Sequence, residues 1–210
     1  MWQQMGPREI EQCSMEIINR EMGSSAYPPE CLPVVRRVIH TTADFDFART
    51  LFFSPGVVTV AREAISRGVD IITDTNMAAA GINKKKLACY GGRVLCYMAD
   101  PEVAQEASGR GITRAAVSME RVVQEKPGAI FAIGNAPTAL LRLCELIASG
   151  QAQPALAVGV PVGFVNVVES KQRLMQLPVP QIVTQGRKGG STVAVAIINA
   201  LLYGMGSDHE

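Results

Sequence analysis

From residue 69 onward the chain alternates short, unbroken apolar runs with stretches of helical periodicity. The runs are Val69-Asp70-Ile71-Ile72-Thr73, Arg93-Val94-Leu95-Cys96-Tyr97, Ala129-Ile130-Phe131-Ala132-Ile133, Ala155-Leu156-Ala157-Val158-Gly159 and Gln181-Ile182-Val183-Thr184. A strand with one wetted face alternates apolar and polar residues, whereas a continuous apolar run belongs to a strand covered on both faces. Helix-like segments lie between and after the runs, at 76–81, 101–109, 113–126, 136–149, 167–176 and 191–203. Strand, helix and parallel strand joined by right-handed crossovers build a sheet between two helical layers. The pattern therefore predicts an α/β fold, a three-layer sandwich of Rossmann-like or flavodoxin-like type.

Ahead of that pattern, three helices are expected. The first covers 7–22, opened by Pro7 and striped by Ile10, Cys13, Ile17 and Met22. The second covers 29–40, with Leu32, Val35 and Ile39 at three- and four-residue steps. The third covers 57–66, introduced by Pro55-Gly56 and closed by Arg67-Gly68. They decorate the sheet, and periodicity alone does not say where they dock. A chain of 210 residues supports one substantial core, and no repeat or linker divides it, so residues 1–210 read as a single domain.

The net charge of +1 and an aromatic content of 5% exclude the basic footprint and stacking platforms of a nucleic-acid binder. The start of the chain lacks the apolar stretch of a signal peptide. The most apolar segment, 155–168, is broken by Gly159, Pro161 and Gly163 and is too short to cross a membrane. Cys13, Cys31, Cys89, Cys96 and Cys144 are scattered and odd in number. That spacing favours free thiols in a reducing cytoplasm over disulfides or a zinc site.

One imidazole stands out. His40 ends the run Val34-Val35-Arg36-Arg37-Val38-Ile39-His40, and the other histidine, His209, lies at the C-terminus. Histidine is the side chain that exchanges protons near neutrality, with an ordinary pKa of about 6.5. Any imidazole chemistry falls to His40; the plain alternative is a helix-end histidine bonded to a backbone carbonyl. No two histidines can share a metal, and no Ser-His-Asp arrangement is legible. Ligands of a doubly wound sheet bind beyond the C-terminal strand ends. Three loops leave strands there. Ile133-Gly134-Asn135-Ala136-Pro137-Thr138-Ala139 is expected to open a helix whose free N–H groups face a ligand. Gly159-Val160-Pro161-Val162-Gly163-Phe164-Val165 is followed by Asn166, Glu169, Ser170 and Lys171. Gln185-Gly186-Arg187-Lys188-Gly189-Gly190-Ser191-Thr192 reads as an anion cradle of glycine amides, two cations and a helix start. It is not a Walker A motif, and no strand leads into G-x-G-x-x-G. Lys84-Lys85-Lys86 reads as a solvated face, and Asp44-Phe45-Asp46 as a turn and cap.

Taken jointly, several of these segments resemble the precorrin-8X methylmutase (cobalt-precorrin-8 methylmutase) family of cobalamin biosynthesis. They are Arg37-Val38-Ile39-His40, Phe53-Ser54-Pro55, Ile133-Gly134-Asn135-Ala136-Pro137-Thr138-Ala139-Leu140, Pro161-Val162-Gly163-Phe164-Val165 with Glu169-Ser170-Lys171, and Gly186-Arg187-Lys188-Gly189-Gly190-Ser191. The resemblance implies a flavodoxin-like five-stranded parallel sheet with extra N-terminal helices. It implies a homodimer with active sites near the interface and an isomerase that moves a methyl group from C11 to C12 of a corrinoid precursor. It implies no nucleotide, flavin or protein-bound metal. His40 takes the place of the family's catalytic histidine, protonating a ring nitrogen and recovering the proton. Ser14 falls at a substrate-contacting serine, while Asn135 and Thr138 line the pocket. Arg114, Arg187 and the Gly189-Gly190-Ser191 amides suit the peripheral carboxylates of the substrate. The segment Thr73-Asp74-Thr75-Asn76-Met77-Ala78-Ala79-Ala80-Gly81 keeps the family outline but does not single out which polar group reaches the ring. A carrier module that binds a corrinoid without converting it is the competing reading, and a nucleotide-binding enzyme using 186–191 is a third.

Overall fold

The structure, a computed structural model, describes residues 5–206; His209 lies outside them. Its centre is a six-stranded sheet made of β1 (Leu51–Phe53), β2 (Ile71–Thr73), β3 (Val94–Leu95), β4 (Ile130–Ile133), β5 (Leu156–Gly159) and β6 (Gln181–Thr184). Across the sheet the order is β1-β6-β5-β4-β2-β3. The five expected strands all form and pair in parallel, while β1 pairs antiparallel with β6. The sheet thus has one strand more than expected. Leu51-Phe52-Phe53 is too short to carry a period; its pairing to Ile182, Val183 and Thr184 defines it.

Eleven α-helices surround the strands: α1 (Pro7–Met22), α2 (Leu32–Thr42), α3 (Phe47–Thr50), α4 (Val57–Ser66), α5 (Asn76–Gly81), α6 (Lys84–Ala88), α7 (Pro101–Arg110), α8 (Arg114–Glu125), α9 (Pro137–Ala148), α10 (Val167–Met175) and α11 (Ser191–Tyr203). A 3-10 turn at Pro29–Cys31 leads into α2. Side-chain caps fix several starts: Thr75, Asn83, Asp100 and Thr113 each accept a hydrogen bond from an amide in the first turn of α5, α6, α7 and α8.

The strand period of two sorts side chains between two cores. Ile71, Ile130, Ala132, Leu156, Val158 and Ile182 meet the cluster that includes α2, α4 and α11, while Ile72, Phe131, Ile133, Ala157 and Val183 meet the one built with α8 and α9. Helix α11 lies on the strands, α2 lies on α11, and α1 lies on α2. That stacking explains why α11 is apolar nearly all round: sheet covers one side, and Val34, Val35, Val38 and Ile39 of α2 join the same core from the other. It also settles where the N-terminal helices dock.

Candidate active site

Four loops converge where the parallel strands end. After β2, Asp74 is wholly buried and Thr75 caps α5. The Thr75 and Ser191 hydroxyls bond at 2.9 Å, tying that loop to the start of α11. After β4, Gly134 lies against the same place: a Cβ there would sit 2.6 Å from the Gly190 carbonyl oxygen. Gly189 is equally constrained, since its Cβ would stand 2.2 Å from the Val160 oxygen. Both glycines serve close backbone approach between loops.

Part of the backbone that the sequence offers to a ligand is already engaged. The amides of the loop leading into α9, rather than those of the helix's own first turn, are taken up inside the protein. Gly134, Asn135 and Ala136 donate to the Asp74 carboxylate at 3.0, 2.7 and 2.6 Å. Burial lifts the Asp74 pKa above the ordinary carboxylate value, and the three amide bonds pull against that rise. An internal carboxylate therefore occupies the loop just before α9, and no amide of the helix's own first turn is among its partners.

The residue 186–191 loop is likewise a weaker anion cradle than expected, because much of it is already engaged. The Gly190 amide donates to the Val160 carbonyl. Lys188 Nζ bonds Asp44 at 2.6 Å and Asp46 at 2.7 Å, and this pairing holds both carboxyls below their usual range. The Asp44-Phe45-Asp46 turn is thus also a tether between the end of α2 and the start of α11. Arg187 is exposed, makes no ion pair among the described residues, and lies over the Phe164 ring at 5.5 Å from its centroid. The Gly189 and Ser191 amides find no acceptor among the described residues.

His40 occupies the last turn of α2, which ends on Ala43 in the left-handed region. Its side chain is exposed and makes no hydrogen bond with any described residue, so the expected alternative of a carbonyl-bonded histidine does not hold. Arg37 and Thr41, flanking it on α2, line a groove of about 350 Å³ with Met77, Gly81, Ser191, Thr192, Val195 and Tyr203. Arg37 is held by Glu11 of α1 at 3.0 Å and lies over Tyr203. Apolar side chains rim the same end of the molecule: Met77 is 68% exposed, Phe164 82% and Val165 77%.

The other expected site residues are spread around this edge. Asn135 is exposed in the loop after β4. Thr138 bonds Thr113 at 3.0 Å, joining the starts of α9 and α8, where Arg114 is the first helical residue. Arg114 and Thr138 thus lie on the α8–α9 side of the sheet, away from α2. Ser14 is on α1, and its hydroxyl donates to the Ile10 carbonyl at 2.7 Å. No hydrogen bond joins Ser14 or Arg114 to His40.

Asp74 and Lys171 shape the site without having been assigned a task by their sequence context. Each is buried and polar, and neither stands out from a local pattern, because their partners lie far along the chain. Among the described residues no three His, Cys, Asp or Glu side chains gather as a metal site.

A groove between α2, α5 and α11, an exposed imidazole on the α2 turn beside it and an apolar rim near the strand ends mark the candidate site of an α/β protein. The comparisons agree on which one. The family model for precorrin-8X methylmutase matches residues 9–204, and the chain belongs to that family of isomerases of cobalamin biosynthesis. It is 45% identical to a cobalt-precorrin-8 methylmutase of Priestia megaterium over 195 residues, covering 93% of this chain and 87% of the relative. It is 46% identical to the Salmonella typhimurium cobalt-precorrin-8 methylmutase over 173 residues, covering 81% and 80%. A crystal structure of precorrin-8X methylmutase from Thermus thermophilus superposes with a TM-score of 0.85 at 45% identity, covering 92% of this chain and 96% of that one.

Proposed function

We propose that this chain moves a methyl group from C11 to C12 of precorrin-8X or cobalt-precorrin-8, with His40 as proton donor and acceptor. The product is hydrogenobyrinate or cobyrinate. One observation carries the reading: His40 has no hydrogen-bond partner among the described residues and stands on the turn of α2 that borders the Arg37–Ser191 groove. The imidazolium protonates a ring nitrogen beside the migrating carbon. Electron density leaves the conjugated system, the C11–methyl bond breaks as the C12–methyl bond forms in a suprafacial 1,5-shift, and the proton returns to His40. Nothing is oxidised or reduced. A well-placed proton donor is worth about 10²–10⁴-fold in rate.

A groove of about 350 Å³ is at the small end of the range for drug-sized ligands. A macrocycle therefore spreads beyond it, over the Met77 and Phe164 rim and toward Asn135, Thr138 and Arg114. We read that rim as the place where a second copy of the chain closes the site, making a homodimer. Arg187, the Gly189 and Ser191 amides and Ser14 are assigned to the acetate and propionate rim of the ligand. The five parallel strands read as a flavodoxin-like sheet to which β1 is added, and the chain acts as one methylmutase domain. Its five free cysteines suit a cytoplasmic setting. Among the described residues no helix is long and apolar enough to cross a membrane.

The test is His40→Ala with metal-free and cobalt-containing precursors, followed by visible absorbance. Binding of the corrinoid persists, and rearrangement falls by at least 10²-fold. Turnover by His40→Ala at the wild-type rate ends the proton-donor role. A wild-type protein that binds and never converts the ligand is the carrier instead.

A further inference from the structure

Lys171 of α10 is only 1% exposed, and no carboxylate among the described residues pairs with it. Its ammonium donates instead to two backbone carbonyls of one loop, Gly186 and Lys188, each at 2.8 Å. A buried cation without an anion is an expensive arrangement, and a chain of the same volume in Met would fill the space without it. The Lys188 carbonyl also accepts from the Thr184 hydroxyl at 2.9 Å, and the Arg187 carbonyl accepts from the Gly163 amide at 3.3 Å. All three consecutive carbonyls of 186–188 are therefore held by the protein. The same stretch carries Arg187 over Phe164, the acceptor-free Gly189 and Ser191 amides, and the Lys188 side chain that grips Asp44 and Asp46 just beyond the helix of His40.

We propose that Lys171 is the positioning residue of the substrate loop: it pins the 186 and 188 carbonyls inward and so fixes Arg187, the Gly189 and Ser191 amides, and the Lys188 tether to the end of α2 in one geometry. Its burial keeps it out of reach of any ligand, so it acts through the loop and not as an acid, base or nucleophile. The inference rests on the proposed methylmutase reading for its effect on turnover, and on geometry alone for its effect on the loop.

Lys171→Met keeps the buried volume and removes the donors. In that variant amide hydrogen exchange across 186–192 accelerates by at least 10-fold, while the amides of α8 and α9 exchange as before. KM for the corrinoid precursor rises by 10-fold or more, with a smaller change in kcat, because the loop must be ordered again at each binding event. Thr184→Val removes the second donor to the Lys188 carbonyl and moves both readouts in the same direction by a smaller factor; it stands in if Lys171→Met does not fold. Loop exchange and KM within 2-fold of wild type in either folded variant overturn the proposal. So does faster exchange spread evenly over the whole chain, which marks a general stability role. If the wild-type protein does not convert the precursor, the methylmutase reading fails and the exchange experiment still decides the lock.

Discussion

Asp74 shows how one side chain sets the chemistry of an edge. It follows β2, has no exposed surface, and accepts from three successive amides of the loop leading into α9. Those loop amides are thereby withdrawn from any anion in solution. In Asp74→Asn the carboxamide offers one acceptor oxygen and turns its NH2 toward donors, so at least one amide of 134–136 loses its partner. The expected loss is about 1–3 kcal/mol in urea unfolding, since a buried donor left alone forfeits its full solvation. A variant as stable as wild type would show that the carboxylate contributes no net stability. Lys171 stands in the same relation to its own loop. Burial pushes its ammonium down to about 8, which marks how strongly this interior resists the charge. Both lie in segments that carry the family resemblance, but neither residue's task is legible in sequence, because an Asp after a strand and a Lys on a helix are ordinary until their partners are known. His40 stands out, because it is the one histidine inside the patterned part of the chain.

At the scale of elements, the loops meet by backbone contact, and glycine is what permits it. Gly189→Ala drives a methyl group to 2.2 Å from the Val160 oxygen, and backbone on both sides leaves no room to yield. A destabilisation of about 1–3 kcal/mol is expected, with the loop after β5 displaced. Gly109 of α7 is the contrast: nothing lies within 4 Å of its added Cβ. There Gly109→Ala gains roughly 0.5–1 kcal/mol from helix propensity. Thermal melts of the pair check the opposite signs; equal effects would mean that the close loop contact is not rigid. The helices themselves were legible. Of the expected stripe Leu32, Val35 and Ile39, the last two are buried, joined by Val34 and Val38, while Leu32 is half-buried; α5 spans the expected 76–81. Strand β1 was not, because three residues acquire strand identity only from their neighbour β6. The same limit applied to Gly134, whose need for a missing Cβ comes from Gly190, not from its own turn.

For the whole molecule, the C-terminal strand edge joins three things that arise in different parts of the chain: the imidazole on α2, the loops after β4, β5 and β6, and an exposed apolar rim. Phe164 is 82% exposed beneath the Arg187 guanidinium, an unusual position for a large apolar ring unless something covers it. If the proposed second copy covers this rim, Phe164→Asp shifts the protein toward monomer in sedimentation at micromolar concentration and reduces turnover, with its secondary structure intact. A wild-type chain that is monomeric at tens of micromolar would remove the second copy from the site. The period of the apolar runs, the caps and the glycine and proline punctuation by themselves determined the buried parallel strands, most helix spans and the placing of His40 near the end of a helix. These are local rules, acting over one or two turns. Only the tertiary structure decided which groups remain open to a ligand. Asp74 reaches an amide 60 residues away, and Lys188 reaches Asp44 across 144. Whether a helix end or a cation is satisfied depends on charges brought close by folding, and no periodicity in the chain records those distances.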